Sequence, residues 1–211
     1  MNSTGFQGDW DVSSGKARSG FSENDGADKD CAGNYSEKDT LENAFKPCVT
    51  DSVRAGTGWD LPRLVPDRPL ILGGVRIPFS VGLLGHSDAD VLIHSIIDAL
   101  LGALNLGDIG EHFPPSDEKY KDISSVVLLQ EVKKLVDDSG YQIVNIDNTL
   151  ILEKIRLSDY KKSIAENLAK ILDLDVSRVS VKAKTSEGII GEILPDVAIS
   201  QSVALLQRMC I

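Results

Sequence analysis

The chain has 211 residues and a formal net charge of −10. So acidic a balance is a poor match for a nucleic-acid backbone or an anionic membrane surface, and no apolar run approaches the roughly 18 residues needed to span a bilayer. The three cysteines, Cys31, Cys48 and Cys210, are odd in number and widely spread, which excludes a disulfide framework or a Cys-x-x-Cys zinc knuckle and fits a reducing compartment.

Residues 1–53 are rich in Gly, Ser, Asn and Asp and lack apolar periodicity. Such a segment cannot bury enough surface to offset its ordering entropy, so it reads as a disordered or loosely ordered extension. It has no apolar stretch of the secretory kind, and its acids are unusual for an organelle transit peptide. From Arg54 the pattern turns globular, giving one domain over 54–211.

In chain order, PLILGGVRIPFSV (Pro69–Val81) alternates aliphatics around a Gly-Gly break, as a strand or hairpin does. DADVLIHSIIDALLGALNL (Asp88–Leu106) is apolar on nearly every side and predicts a buried helix. Ser124–Gly140 is an amphipathic helix with a Ser start and a Gly stop, and Tyr141–Glu153 a long strand. A second amphipathic helix covers Ser158–Leu174, and strands cover Ser177–Thr185 and Val197–Leu206. The expected architecture is α/β (α+β): a mixed sheet of about four strands with helices on one side.

The chemistry concentrates in GHSDADVLIH, Gly85–His94. Asp90, His94 and Asp98 recur every four residues and form one polar stripe on a helix otherwise fit for burial. Ser87 to Asp90 makes a passable capping box, and acids suit a helix N-terminus, so these need no further role. His94 inside the apolar run is different. A buried histidine is more often a satisfied core residue than a ligand, yet His86 and the nearby acids bring the two readings level.

Taken together, GHSDADVLIH, GDIGEHFP and VKAKTSEG, in that order, strongly resemble the 2-C-methyl-D-erythritol 2,4-cyclodiphosphate synthase family of the non-mevalonate isoprenoid pathway, over about Gly56 to Leu206. The resemblance implies a lyase that cyclises a cytidine-diphosphate sugar alcohol and releases CMP, acting as a homotrimer whose sheets pack around the trimer axis, with active sites between neighbours. It implies a zinc-type cation at Asp60 and His94, with the fourth position open to substrate. The family's third ligand, a histidine, falls on Pro62 here, which carries no donor atom. His86 and Ser87 match the contacts to the attacking phosphate, with His86 and Thr185 in the catalytic roles. Glu187 matches the carboxylate of a magnesium- or manganese-type ion on the diphosphate. Asp108, Ile109 and Gly110 match a sugar-holding loop; Phe113 and Asp117 match the ends of a Phe-Pro-Asp-x-Asp loop whose middle acid is Pro115 here.

Arg156 replaces a lysine, and Ile155 a proline, in the cytosine-binding segment, and Lys184 joins the substrate-binding set, although Lys182 and Lys184 equally suit a solvated strand face. A Gly-Arg-Gly-Glu turn expected near Glu192–Ser200 is lost. Two readings follow: an active synthase, or a catalytically impaired relative serving as a trimeric structural or binding subunit. Neither involves nucleic acid or membrane. The compartment implied is the plastid stroma, or alternatively the bacterial cytoplasm. Trp59 is expected to pack, and His112 to lie exposed on a loop.

Overall fold

Two glycines set how the buried helix meets the sheet. Strand β1 (Val53–Asp60) turns Gly56 and Gly58 toward helix α1 (Val91–Leu104). A Cβ on Gly56 would stand 2.0 Å from the Ala99 carbonyl oxygen, and one on Gly58 2.0 Å from that of Ser95. Backbone therefore lies almost on backbone, and the last residue of β1, Asp60, reaches the first turns of α1. The computed structural model describes residues 52–209 apart from 154, 190, 191 and 193–195, so all but the end of the expected extension, and Cys31, Cys48 and Cys210, lie outside the described residues.

The sheet has four strands in the order β1-β8-β6-β7. Strand β6 (Tyr141–Ile151) pairs antiparallel with β8 (Ile199–Arg208) and parallel with β7 (Val179–Lys184); β8 pairs antiparallel with β1. The parallel pair needs a crossover, and α4 (Lys161–Leu172) supplies it. Helices α1, α3 (Ser125–Asp138) and α4 pack on one side, around a core that includes Leu92, Ile96 and Leu100 of α1 and Ile143, Ile146 and Leu150 of β6. Two small hairpins flank this layer: β2 (Leu64–Pro66) with β5 (Val81–Leu83), and β3 (Leu70–Leu72) with β4 (Val75–Ile77). The second turns on Gly73 and Gly74, at φ 58° and 73°, as the primed two-residue turns require.

The expected elements are all present with shifted ends: the helices start later and stop earlier, and the last strand runs Ile199–Arg208 instead of Val197–Leu206. Helix α1 ends at Leu104 rather than Leu106 because Asn105 takes the left-handed conformation and its N–H returns to Leu101 and Gly102. Asp173 ends α4 in the same way, at Leu172 instead of Leu174. Trp59 is a correction: it is 56% exposed. Strand alternation gives the inner face to Gly56 and Gly58, so Trp59 stands on the outer face, as does Val203, which pairs with Thr57. The interior also holds a polar chain. Ser95 Oγ lies 2.7 Å from both Ser200 Oγ and Ser202 Oγ, Ser202 donates to Asn148 Oδ1, and Asn148 Nδ2 donates to the Ser180 carbonyl.

Candidate active site

Helix α1 begins three residues later than a capping box at Ser87 would have it. The N-cap is Asp90, whose carboxylate accepts from the N–H groups of Leu92 and Ile93 and also of Gly73 (2.9 Å) and Gly74 (2.6 Å). One fully buried side chain thus ties the helix start to the β3–β4 turn. Burial is the largest influence on this group. It pushes the Asp90 carboxyl up to about 6, against the pull of the Gly74, Gly73 and Ile93 donors.

Because Asp90 serves as the cap, Ser87 is free to face His94. Ser87 Oγ lies 3.2 Å from His94 Nε2, and Ser125 Oγ, from the start of α3, lies 2.9 Å from the same atom. Ser125 Oγ in turn donates to Asp88, whose other oxygen accepts the Ser125 N–H. On the far side His94 Nδ1 meets Asp60 Oδ2 at 3.1 Å. Burial lowers the affinity of the His94 ring for a proton, but Asp60, Asp90 and Asp88 more than offset this and the net shift is upward. Arg68 braces the loop from outside, donating to the carbonyls of Ser87 (2.9 Å) and Gly85 (3.3 Å).

His86, Ser87 and His94 form the polar end of a pocket of about 160 Å³, whose apolar wall includes Ile109, Phe113 and Pro115. Phe113 stacks edge-on against Tyr120 at 5.3 Å. Among the described residues, His86 Nε2 is buried with no hydrogen-bond partner. A buried ring nitrogen without a protein partner beside a pocket calls for one from water or a ligand.

Most of the expected site residues fall into two groups, with Asp60, Asp108 and Asp117 in neither lining. His86, Ser87, His94, Ile109, Gly110 and Phe113 share this first pocket. Arg156, Lys184, Thr185 and Glu187 line a second one, of about 590 Å³. Thr185 Oγ1 donates to Glu187 Oε1 at 3.4 Å. Asp108 caps the short helix α2 (Ile109–His112) through the Glu111 N–H, and His112 belongs to that helix rather than to a loop, with Nε2 2.8 Å from the Leu106 carbonyl. Asp117 caps the turn at Glu118–Tyr120 and pairs with Lys119, outside both pocket linings. Lys182 pairs with Asp147 on the solvated face of β7. Sequence reading missed Ser125 and Arg68. Ser125 follows Ser124, which carries the capping signal for α3, and only the folded chain brings it to His94.

The donor set does not fit a zinc-type ion held by three protein ligands. Asp60 and His94 are in place, but Pro62 offers only a carbonyl, which accepts the Ala198 N–H at 3.1 Å. Among the described residues no group of three or more His, Cys, Asp or Glu is placed to hold a metal. Glu187 presents a single carboxylate, which suits a magnesium-type ion whose shell is completed by substrate phosphates.

A four-stranded mixed sheet under one layer of helices, with a His-Ser loop and an aspartate–histidine pair at the mouth of its central buried helix, defines an α/β domain with a polar-ended pocket at that helix. The chain belongs to the YgbB family, whose model matches residues 53–207. It is 54% identical over 154 residues to the 2-C-methyl-D-erythritol 2,4-cyclodiphosphate synthase of Clostridium kluyveri, covering 73% of this chain and 94% of that protein. It is 56% identical over 137 residues to the Lachnospira eligens enzyme of the same name, covering 65% and 75%. Among solved structures, a 2C-methyl-D-erythritol-2,4-cyclodiphosphate synthase in its CDP-bound form superposes with a TM-score of 0.68 at 37% identity, over 73% of this chain and all of that one.

Proposed function

We propose that the chain converts 4-diphosphocytidyl-2-C-methyl-D-erythritol 2-phosphate to the 2,4-cyclodiphosphate and releases CMP. An oxygen of the 2-phosphate attacks the β-phosphorus, forming one P–O bond. The β-phosphorus–oxygen bond to the α-phosphate breaks, and CMP leaves with the bridging oxygen. The observation that carries this reading is the unpaired His86 Nε2 beside Ser87 in the first pocket. These two groups hold and orient the attacking phosphate, which is the larger part of catalysis in phosphoryl transfer.

The second pocket receives the cytidine diphosphate part. Arg156 and Lys184, which line it with Thr185, supply positive charge, and the Thr185 hydroxyl is given the role of donating to the phosphoryl oxygens on which charge develops. Glu187 would hold a magnesium- or manganese-type ion that neutralises the diphosphate. Asp108, Ile109, Gly110 and Phe113 position the sugar alcohol. Pro115 stands where the resemblance expects a carboxylate for the substrate's hydroxyls, so that end of the pocket binds by shape more than by hydrogen bonds. The two groups of residues line separate pockets within one chain, and the outer sheet face carries exposed Trp59 and Val203. Both features support a homotrimer in which neighbouring copies complete each site. The relatives named above are bacterial, which favours the bacterial cytoplasm over the plastid stroma; no described helix is long and apolar enough to cross a membrane.

CMP release, followed by chromatography, tests the assignment. His86→Ala is expected to lower the rate by about 10²–10³-fold, as the loss of one preorganised contact does. A His86→Ala protein that turns over at the wild-type rate overturns the role given to His86.

A further inference from the structure

We infer that this chain keeps no resident divalent cation at the Asp60–His94 position, and that the direct hydrogen bond between the two side chains stands in its place. The reason is the number of donors, not their spacing. Two ligands of a tetrahedral zinc, each about 2.1 Å from the metal, lie about 3.4 Å apart. His94 Nδ1 and Asp60 Oδ2 are 3.1 Å apart, close to that value.

What is missing is a third side chain. Along an extended backbone, positions 60 and 62 face the same way, and the chain past Asp60 stays paired, the Pro62 carbonyl accepting the Ala198 N–H at 3.1 Å. Position 62 therefore points its side chain toward the pair's side, and proline brings nothing to ligate with.

The protein already satisfies both existing donors. Asp60 Oδ1 accepts the Leu61 N–H at 2.8 Å, and Oδ2 is taken up by His94. His94 Nε2 is held by Ser125 at 2.9 Å and Ser87 at 3.2 Å, so the ring cannot swing to offer another nitrogen without giving up that network. Asp98, one turn further along α1, is occupied by the Ile109 N–H at 2.8 Å. Asp60 and His94 are therefore positioning residues: they fix the ring whose other edge lines the first pocket beside Ser87.

The inference concerns the site of the proposed reaction, but metal content is read without turnover, so the two can fail separately. The full chain is purified, stripped with chelator and titrated with zinc alone. Metal per chain is read by elemental mass spectrometry, and the His94 ring nitrogens by NMR. Wild type is expected to carry well under one zinc per chain, with the His94 signals unmoved. Pro62→His is expected to bind near one per chain, more than about 100-fold tighter than wild type, since the loss of even an outer partner costs 10–100-fold. The double variant Pro62→His/His94→Ala is expected to lose that binding. Near-stoichiometric zinc on the wild type, abolished by His94→Ala, overturns the inference. So does a Pro62→His protein with wild-type melting behaviour that gains no zinc. If Pro62→His fails to fold, the wild-type titration and its NMR readout decide alone.

Discussion

Replacing Asp90 by Ala removes one carboxylate that holds two elements together. The helix loses its N-cap, since the N–H groups of Leu92 and Ile93 lose their acceptor. Loss of an N-cap of this kind costs about 1 kcal/mol. The Gly73 and Gly74 N–H groups also lose theirs, at 2.9 and 2.6 Å. A buried N–H stranded without a partner costs about 1–3 kcal/mol, and Gly74, less enclosed than Gly73, recovers part of this through water. The total is about 3 kcal/mol. At roughly 2–4 °C per kcal/mol for a chain of this size, the melting midpoint falls by about 6–12 °C. Asp90→Asn is milder, because one amide oxygen can still accept from Gly73, Leu92 and Ile93.

The pH dependence has a definite sign. The folded carboxyl sits at about 6 against an ordinary value of 3.8. Between these values the folded state binds the proton more tightly than the unfolded chain. The group's contribution is thus fully present below the ordinary value and is lost as pH rises through about 6. Circular dichroism melts at pH 5 and 7 check both points: wild type should lose more stability than Asp90→Ala over that interval. At pH 5, where part of that contribution remains, an Asp90→Ala midpoint within about 2 °C of wild type would refute the accounting.

Other substitutions probe the rest of the framework. Gly58→Ala sets a methyl group against the Ser95 carbonyl, so it should cost about 3 kcal/mol in urea unfolding and loosen the Asp60–His94 contact. Ser202→Ala breaks the buried polar chain and leaves Asn148 Oδ1 without its donor, an expected loss of about 1–3 kcal/mol. Lys182→Ala removes a pair exposed on both sides and should change stability by less than about 1 kcal/mol. Lys182 holds the Asp147 carboxyl below its ordinary value, so that small contribution is present above the ordinary value and fades as pH falls through the lowered one.

Strongly patterned segments were legible because their signals are local. The apolar run of α1, the Ser and Gly punctuation of α3 and the Gly-Gly hairpin each act within a few residues. The stops at Asn105 and Asp173 were missed because they depend on left-handed backbone rather than on composition. Asp90 was read as part of a capping box, but its second pair of partners, Gly73 and Gly74, comes from a turn 16 and 17 residues away. Trp59 shows the same limit: its side of the strand is decided by the contact of Gly56 and Gly58 with α1. In the site, the family motifs located His86, Ser87 and His94, whereas Ser125 and Arg68 reach them only through the fold.

Phosphorus-31 NMR of 4-diphosphocytidyl-2-C-methyl-D-erythritol 2-phosphate incubated with the purified full chain and magnesium tests the central claim most directly. The account predicts that the substrate signals give way to those of CMP and the cyclic diphosphate in equal amounts, with His86→Ala slowing both together. Substrate that stays intact in the presence of folded protein, or CMP that appears without the cyclic product, would contradict it.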